Sequence, residues 1–235
     1  MTSPGIPSWK SDFLSSCLSS SALRFGTFTL KSGRSSPYFF NAGVFHTAAP
    51  LHALSLAFAH TIAAHSTPAP LEFDVLFGPA YKGIPLAVTT IGQLAALDER
   101  RFGDVAYSFN RKEVKAHGDK GTLVGAALQG KRVLIVDDVM TAGTAVREAV
   151  DIITKEGGTL VGIVVALDRM EKMPTPQDDD GVPGPSAVGE VRRQYGVPVL
   201  AILTLDDIIA GFQQIGTQED LERMEAYRQK YRASN

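Results

Sequence analysis

The run at residues 132–144, RVLIVDDVMTAGT, constrains the fold of this chain more than any other part of its sequence. An apolar segment ends at two adjacent aspartates, and a short turn containing glycine follows. After the turn, apolar side chains recur on one face of a helix, at Val146, Ala149, Val150 and Ile153. The run therefore predicts a buried strand, a turn and an amphipathic helix, and in parallel sheets ligands bind where such strands end.

Apolar segments before and after this run alternate between strand-like and helix-like patterns. FDVLF, VAYSF, GTLVG, TLVGIVVALD and VPVLAIL are short, whereas IPLAVTTIGQLAAL and the segment after the TAGT turn have helical periodicity. This alternation predicts an α/β fold with a mostly parallel central sheet flanked by helices.

Two further segments are expected to lie outside the main sheet. Residues 1 to about 45 combine an amphipathic helical segment with aromatic-rich strands and turns, which predicts a small N-terminal hood. The segment at about 172–185, KMPTPQDDDGVPGP, is poor in apolar side chains, which predicts a mobile surface insertion. A chain of 235 residues with 44% hydrophobic content has the size of one domain, so we expect a single domain over 1–235.

The charge balance excludes some classes of partner. The chain has 23 basic and 25 acidic side chains and a net charge of -2, so no overall field attracts nucleic acid or an anionic membrane. No apolar stretch approaches the ~20 residues of a membrane span. The single cysteine, Cys17, cannot form an internal disulfide, and the N-terminal segment lacks a secretory pattern. We therefore expect a cytoplasmic protein without nucleic-acid or membrane partners.

The residues after the predicted strand have the chemistry of a phosphorylated-sugar site. The turn at 141–144 lies at a helix N-terminus, where free backbone N–H groups bind phosphate. Asp137 and Asp138 can accept hydrogen bonds from sugar hydroxyls or hold a hydrated Mg²⁺. The alternative is that the aspartates cap the helix and the threonines satisfy the turn. The order of strand, acid pair, turn and helix favours the ligand site.

This run resembles the motif of the type I phosphoribosyltransferases that binds phosphoribosyl diphosphate (PRPP). In that family two acidic residues contact the ribose hydroxyls and the loop holds the 5′-phosphate. The resemblance implies a type I phosphoribosyltransferase-like fold, Mg²⁺ as cofactor and transfer of the phosphoribosyl group to a base. The motif alone does not specify the base.

Other segments, from Phe25 to about Ile209, resemble the orotate-specific branch of the family, which makes orotidine 5′-monophosphate in pyrimidine (UMP) synthesis. At 28–43, FTLKSGRSSPYFFNAG, the resemblance implies that Lys31 reaches the active site. It also implies that Phe39 and Phe40 lie beside the orotate ring, where aromatic stacking is favourable. Ordinary core filling is the alternative for this pair.

Two loops resemble those that contact the diphosphate in this branch. The segment at 78–85, GPAYKGIP, would place Lys82 along the diphosphate, although an exposed lysine at a helix start is the alternative. The segment at 110–121, NRKEVKAHGDKG, resembles the catalytic loop, often shared across the subunits of a homodimer. A basic run of this kind is otherwise a solvated loop.

Arg169 follows a predicted buried strand, at the same edge as Asp137. A guanidinium suits a planar carboxylate because it donates two parallel hydrogen bonds, and the resemblance implies a contact with orotate. A structural ion pair with Asp168 or Glu171 is the alternative.

The resemblance thus implies a complete set of site residues. The catalytic residues are Arg111, Lys115, His117 and Asp138. The residues that bind PRPP are Lys31, Lys82, Arg111, Lys112, Lys115, His117, Asp137, Asp138, Val139, Met140, Thr141, Ala142, Gly143, Thr144 and Ala145. Orotate would contact Lys31, Phe39, Phe40, Thr141 and Arg169, and Mg²⁺ would be held, directly or through water, by Asp137 and Asp138.

Three other functions were weighed against this one. A purine or uracil phosphoribosyltransferase would share the PRPP motif, but Lys31, the Phe39 and Phe40 pair and Arg169 argue against it. A non-catalytic regulator with the same fold is disfavoured by the basic loop, and no separate DNA-binding element is visible. An oxidoreductase that uses a dinucleotide is disfavoured because no GxGxxG follows a predicted strand.

Overall fold

The elements between Ser8 and Phe40 form a hood beside the main sheet. A computed structural model describes residues 7–66, 69–113, 122–175, 182–212 and 217–234. The hood contains helix α1 (Ser8–Ser19) and the strands β1 (Leu23–Thr29) and β2 (Ser35–Phe40). The two strands are antiparallel and form a sheet of their own. The separate N-terminal sheet predicted from the sequence is therefore present.

The rest of the described chain alternates between helices and strands. A short 3₁₀ helix at Ala42–Val44 precedes α2 (Ala48–Ala64), β3 (Val75–Phe77), α3 (Gly83–Leu97), α4 (Glu99–Phe102), β4 (Ala106–Asn110), β5 (Leu123–Gly125), β6 (Arg132–Val139), α5 (Thr144–Lys155), β7 (Thr159–Asp168), α6 (Ala187–Tyr195), β8 (Val199–Thr204), α7 (Leu205–Phe212) and α8 (Gln218–Tyr231). No helix in these described ranges is long and apolar enough to cross a membrane.

In the described part of the chain the main sheet has six strands, in the order β5-β4-β3-β6-β7-β8. Strand β4 pairs with β3, β3 with β6, β6 with β7 and β7 with β8, all in parallel. Only β5 runs antiparallel, against β4 at the sheet edge. This arrangement confirms the predicted α/β fold with a mostly parallel sheet flanked by helices. It also brings the carboxyl ends of β3, β6 and β7 next to one another.

The central strand β6 is apolar on both faces because helices cover both sides of the sheet. Leu134 and Val136 belong to the larger core cluster, which includes side chains of α1, α2, α7 and α8. Val133 and Ile135 belong to the smaller cluster, against α5 and α6. All four are fully buried, and the burial of each such side chain contributes about 1.5–3 kcal/mol to the stability of the fold. The strand that carries the acid pair is thus fixed from both sides.

The C-terminal helix α8 completes the hood, which the sequence did not lead us to expect. It packs against β2, where the rings of Tyr38 and Tyr227 make an edge contact at 6.2 Å.

The two described ends of the predicted surface insertion contact each other. Lys172 is 3% exposed and donates from Nζ to the carbonyl of Val182 at 2.7 Å. The middle of this segment, 176–181, lies outside the described residues, and the mobility of the segment stays a prediction.

Candidate active site

Strand β6 ends in the two predicted carboxylates. Oδ1 of Asp137 accepts a hydrogen bond from the backbone N–H of Asp138 at 2.9 Å. Oδ1 of Asp138 accepts from the N–H of Val139 at 2.8 Å. Burial, followed by repulsion from Asp138, raises the pKa of Asp137 to about 6. Two negative groups are therefore held together at the sheet edge, where a cation or a set of hydroxyl donors would stabilise them.

The turn after β6 presents a helix N-terminus. Gly143 has a φ of 74°, in the left-handed region that suits glycine, and it immediately precedes α5. In the described structure no side chain caps this helix and no acidic residue lies in its first turn. Its first N–H groups and the positive end of its dipole therefore suit an anion such as phosphate.

Arg147, which no sequence motif indicated, forms a hydrogen bond with the main chain of this turn. Nη1 of Arg147 donates to the carbonyl of Ala142 at 2.7 Å, and its Nε donates to Oε1 of Gln194 at 3.1 Å. Arg147 thereby links the turn to α6. The only signal in the sequence was its position four residues after Gly143, which places it one helical turn into α5.

The loop after β3 brings a lysine to the acid pair. Strand β3 lies beside β6, with Phe77 opposite Ile135, so that the loop begins near the end of β6. Nζ of Lys82 lies 2.7 Å from Oδ2 of Asp138, and the lysine side chain is 62% exposed. The structure thus brings together two of the predicted PRPP residues from separate segments. A cation and a carboxylate therefore form an ion pair at the end of β6.

Strand β4 supports this loop and leads to the basic segment. Oδ1 of Asn110 accepts a hydrogen bond from the N–H of Ala80 at 2.9 Å, and the Ala80–Tyr81 peptide bond is cis. Nζ of Lys112 lies 5.1 Å from the ring centre of Tyr81. The N–H of Arg111 donates to the carbonyl of Thr122 at 2.7 Å. The start of the basic segment, at Arg111 and Lys112, therefore lies beside the loop that carries Lys82.

Two of the predicted catalytic residues cannot be placed. Lys115 and His117 lie at 114–121, outside the described residues. Their roles therefore remain as the resemblance implies them.

Arg169 lies just beyond β7, at the same edge of the sheet as the acid pair. Its Nε donates to Oε1 of Glu171 at 2.8 Å, which is the ion pair weighed as its structural alternative. Its Nη2 donates to Oγ of Ser36 at 3.1 Å and to the hydroxyl of Tyr227 at 3.4 Å. The guanidinium also stacks on the ring of Tyr38, 4.3 Å from its centre. Side chains of β2 and α8 therefore contact Arg169.

The predicted hood residues have different surroundings. Lys31 is exposed in the turn between β1 and β2. The half-buried ring of Phe39 stacks on Phe28 at 5.6 Å. Phe40 is 9% exposed and belongs to the main core, where it packs against Phe45. Neighbouring residues of a strand point to opposite faces, which explains why the two phenylalanines differ.

The donor set at the end of β6 fits Mg²⁺ that arrives with a substrate. No group of three or more His, Cys, Asp or Glu side chains that could hold a metal occurs among the described residues. Asp137 and Asp138 offer two carboxylates. Mg²⁺ commonly uses one or two carboxylates, several waters and the oxygens of a substrate phosphate. The two aspartates therefore fit a magnesium ion shared with a diphosphate.

The fold and this site define a class of protein. A mostly parallel sheet carries an acid pair and a glycine-containing turn at its carboxyl edge, and the phosphoribosyl transferase domain model matches residues 51–183, more than half of the chain. The chain belongs to the phosphoribosyltransferase family.

Individual relatives define its place in that family. The orotate phosphoribosyltransferase of Metarhizium anisopliae is 55% identical over 230 residues, covering 98% of both chains. That of Neurospora crassa is 56% identical over 227 residues, covering 97% of both. The solved orotate phosphoribosyltransferase of Francisella tularensis has a TM-score of 0.78 at 37% identity and covers 94% of this chain and 96% of its own. This chain is a member of the orotate phosphoribosyltransferases, as its sequence predicted.

Proposed function

We propose that this protein transfers the phosphoribosyl group of PRPP to orotate, giving orotidine 5′-monophosphate and diphosphate. Three features at one sheet edge support this proposal: the uncapped N-terminus of α5, the Asp137 and Asp138 pair, and the guanidinium of Arg169. The first two suit the 5′-phosphate and the ribose hydroxyls. The guanidinium suits the carboxylate that distinguishes orotate from other bases.

The reaction places two demands on the protein's own residues. As the bond from ribose C1 to the diphosphate oxygen breaks, the sugar gains oxocarbenium character and the diphosphate gains negative charge. Orotate N1 attacks C1 from the opposite face, and the proton that N1 loses leaves with the diphosphate or passes to water. Lys82, Arg111 and Lys112 would stabilise the leaving diphosphate, together with Lys115 and His117, whose roles the resemblance implies. Positioning of the two reactants supplies the other large contribution to the rate.

A magnesium ion belongs to the proposal. Asp137 and Asp138 would hold it, directly or through water, together with oxygens of PRPP. When bound it supplies positive charge that offsets the charge of the diphosphate. The exposed Lys82, which pairs with Asp138, would lie close enough to the acid pair to contact the diphosphate of PRPP.

The test measures loss of orotate absorbance with PRPP and Mg²⁺, with uracil, hypoxanthine and adenine offered in parallel reactions. The variant with Asp137→Asn and Asp138→Asn should lose activity. Asp74→Asn is the matched control, because Asp74 lies before β3 at the amino end of the sheet and should leave turnover intact. Consumption of another base would favour the purine or uracil enzyme, and consumption of none would favour the regulator.

The proposal includes a homodimer. Tyr81, Val88 and Leu97 are exposed apolar side chains at 62%, 40% and 38%, on and just before α3. Light scattering should give the mass of a dimer, and Val88→Asp should weaken it. A wild-type monomer at assay concentrations would contradict this part.

The segment at 110–121 is proposed to act in the site of the neighbouring subunit. Mixing inactive Lys115→Ala protein with the inactive Asp137→Asn, Asp138→Asn protein tests this directly. A mixed dimer would then contain one site with an intact acid pair and an intact loop, so activity should return. Subunits that act alone would show no recovery after mixing.

A further inference from the structure

One carboxylate at the junction of hood and sheet takes hydrogen bonds from two guanidinium groups. Oε1 of Glu171 accepts from Nε of Arg169 at 2.8 Å, and Oε2 accepts from Nη1 of Arg34 at 3.2 Å. The side chains of Glu171, Arg169 and Arg34 are 12%, 11% and 3% exposed. The three charged groups are therefore almost entirely removed from water.

These groups come from distant parts of the chain. Arg34 precedes β2 in the hood, whereas Arg169 and Glu171 follow β7, and Arg34 and Glu171 are 137 positions apart. A tyrosine ring lies against each guanidinium: Tyr38 at 4.3 Å from Arg169 and Tyr231 at 4.4 Å from Arg34. The cluster thus joins the hood, the sheet edge and α8.

The local backbone also fixes this geometry. Met170, between the arginine and the glutamate, has a φ of 55°, which is uncommon for a residue with a side chain. Its N–H donates to Oδ1 of Asp168 at 2.8 Å, a short turn that stabilises the conformation. Arg169 and Glu171 are therefore held by the main chain as well as by their ion pair.

The hydrogen bonds of Arg169 are unevenly distributed. Its Nε and Nη2 donate to Glu171, Ser36 and Tyr227. None of the hydrogen bonds found in the described part of the chain uses its Nη1. Buried ion clusters carry a desolvation cost that apolar side chains of the same volume avoid, so stability gives little reason to place two arginines on one glutamate. The orientation of the Arg169 guanidinium gives a better reason for this arrangement.

We infer that Glu171 and Arg34 are positioning residues for the acceptor site. They hold Arg169 so that Nη1 remains available for the carboxylate of orotate, and they tie this orientation to the seating of the hood. The inference rests on the proposed function, in which Arg169 contacts orotate. It predicts that the cluster affects the binding of orotate and leaves that of PRPP almost unchanged.

Glu171→Gln tests the inference, because it keeps the shape of the side chain and removes its charge. We expect KM for orotate to rise on the order of tenfold to a hundredfold, because the guanidinium loses its fixed position. KM for PRPP should change less than about twofold. Arg34→Lys, which keeps the positive charge but loses the planar fork, should raise KM for orotate in the same direction by a smaller factor.

The control is Glu190→Gln, which removes the carboxylate of an exposed pair with Arg193 on α6 and should alter neither KM. If Glu171→Gln does not fold, Arg34→Lys alone decides the question. Equal rises in both KM values, or no rise for orotate, would overturn the inference while wild-type activity upholds the proposed function. A wild-type protein that consumes no orotate would instead remove the proposed function, and the inference with it.

Discussion

Gly78 allows a test of how closely the loop between β3 and α3, which carries Lys82, packs against the start of α3. A Cβ at this position would lie 2.0 Å from the carbonyl oxygen of Gly83 and 3.0 Å from Cβ of Ala87. Ordinary contact begins at 3.4 Å, so the main chain around Gly83 would have to move by more than about 1 Å to accept even a methyl group. Gly78→Ala therefore displaces the start of α3 and the loop before it.

The size of the effect follows from what this loop carries. Lys82 precedes Gly83 and lies 2.7 Å from Asp138, so a shift of this size separates the lysine from the acid pair. A misplacement of ~1 Å can lower the rate about a hundredfold, which corresponds to roughly 2.7 kcal/mol of transition-state stabilisation. Overpacking also destabilises the fold by about 1–3 kcal/mol, or roughly 2–12 °C in Tm for a chain of this size.

The assay is kcat/KM for PRPP at saturating orotate, measured together with the thermal midpoint. Gly92→Ala is the matched control, because it lies on the same helix and its added Cβ meets nothing within 4 Å. Replacement of this helical glycine should leave kcat/KM unchanged and stabilise the protein by about 0.5–1 kcal/mol. Wild-type kcat/KM and Tm in Gly78→Ala would show that the close packing of the loop on α3 is wrong.

The remaining predictions concern the phosphate turn, one ion pair and the hood. Gly143 and the control position Gly130 both have left-handed backbone, so replacing either with alanine should lower the free energy of unfolding by about 1–2 kcal/mol. Only Gly143→Ala should also raise KM for PRPP in steady-state assays. The hydrogen bond from an arginine of β6 is the main cause that lowers the pKa of Asp74 to about 2. Its stabilising effect is fully present above about pH 4 and is lost as the pH falls through 2. The pair is partly exposed, so Asp74→Asn should lower the free energy of unfolding by at most about 1 kcal/mol at pH 6 and by clearly less near pH 2 in denaturant titrations; equal losses at both would contradict this. Phe40 is a core residue, so Phe40→Ala should lower the free energy of unfolding by about 3–5 kcal/mol. Phe39→Ala should lower it less but raise KM for orotate. A larger loss of stability in Phe39→Ala, or a rise of KM for orotate in Phe40→Ala alone, would refute the assignment of Phe40 to the core and Phe39 to the orotate site.

Much of the fold and of the arrangement at the end of β6 was predictable because its signals are local in the sequence. An apolar run on β6, two aspartates and a glycine turn are consecutive, and the period of the following helix is that of α5. Parallel pairing then brings the end of β3 beside that of β6, which accounts for the contact of Lys82 with Asp138. Little beyond strand order was needed for this half of the site.

The acceptor side of the site depended on tertiary structure. The pair Phe39 and Phe40 looks alike in sequence, yet one ring is half-buried on Phe28 and the other fills the core. The alternation of a strand requires that they differ, but only packing decides which face is covered.

The sequence by itself thus determined the strand, the turn and the acid pair, since periodicity and turn chemistry act over a few neighbouring residues. Only the tertiary structure decided that Arg34, Glu171 and Arg169 share one buried cluster under the tyrosines of the hood and α8. No pattern in the sequence joins Arg34 to Glu171, because their contact depends on how the hood, the sheet edge and α8 bury their apolar surfaces together.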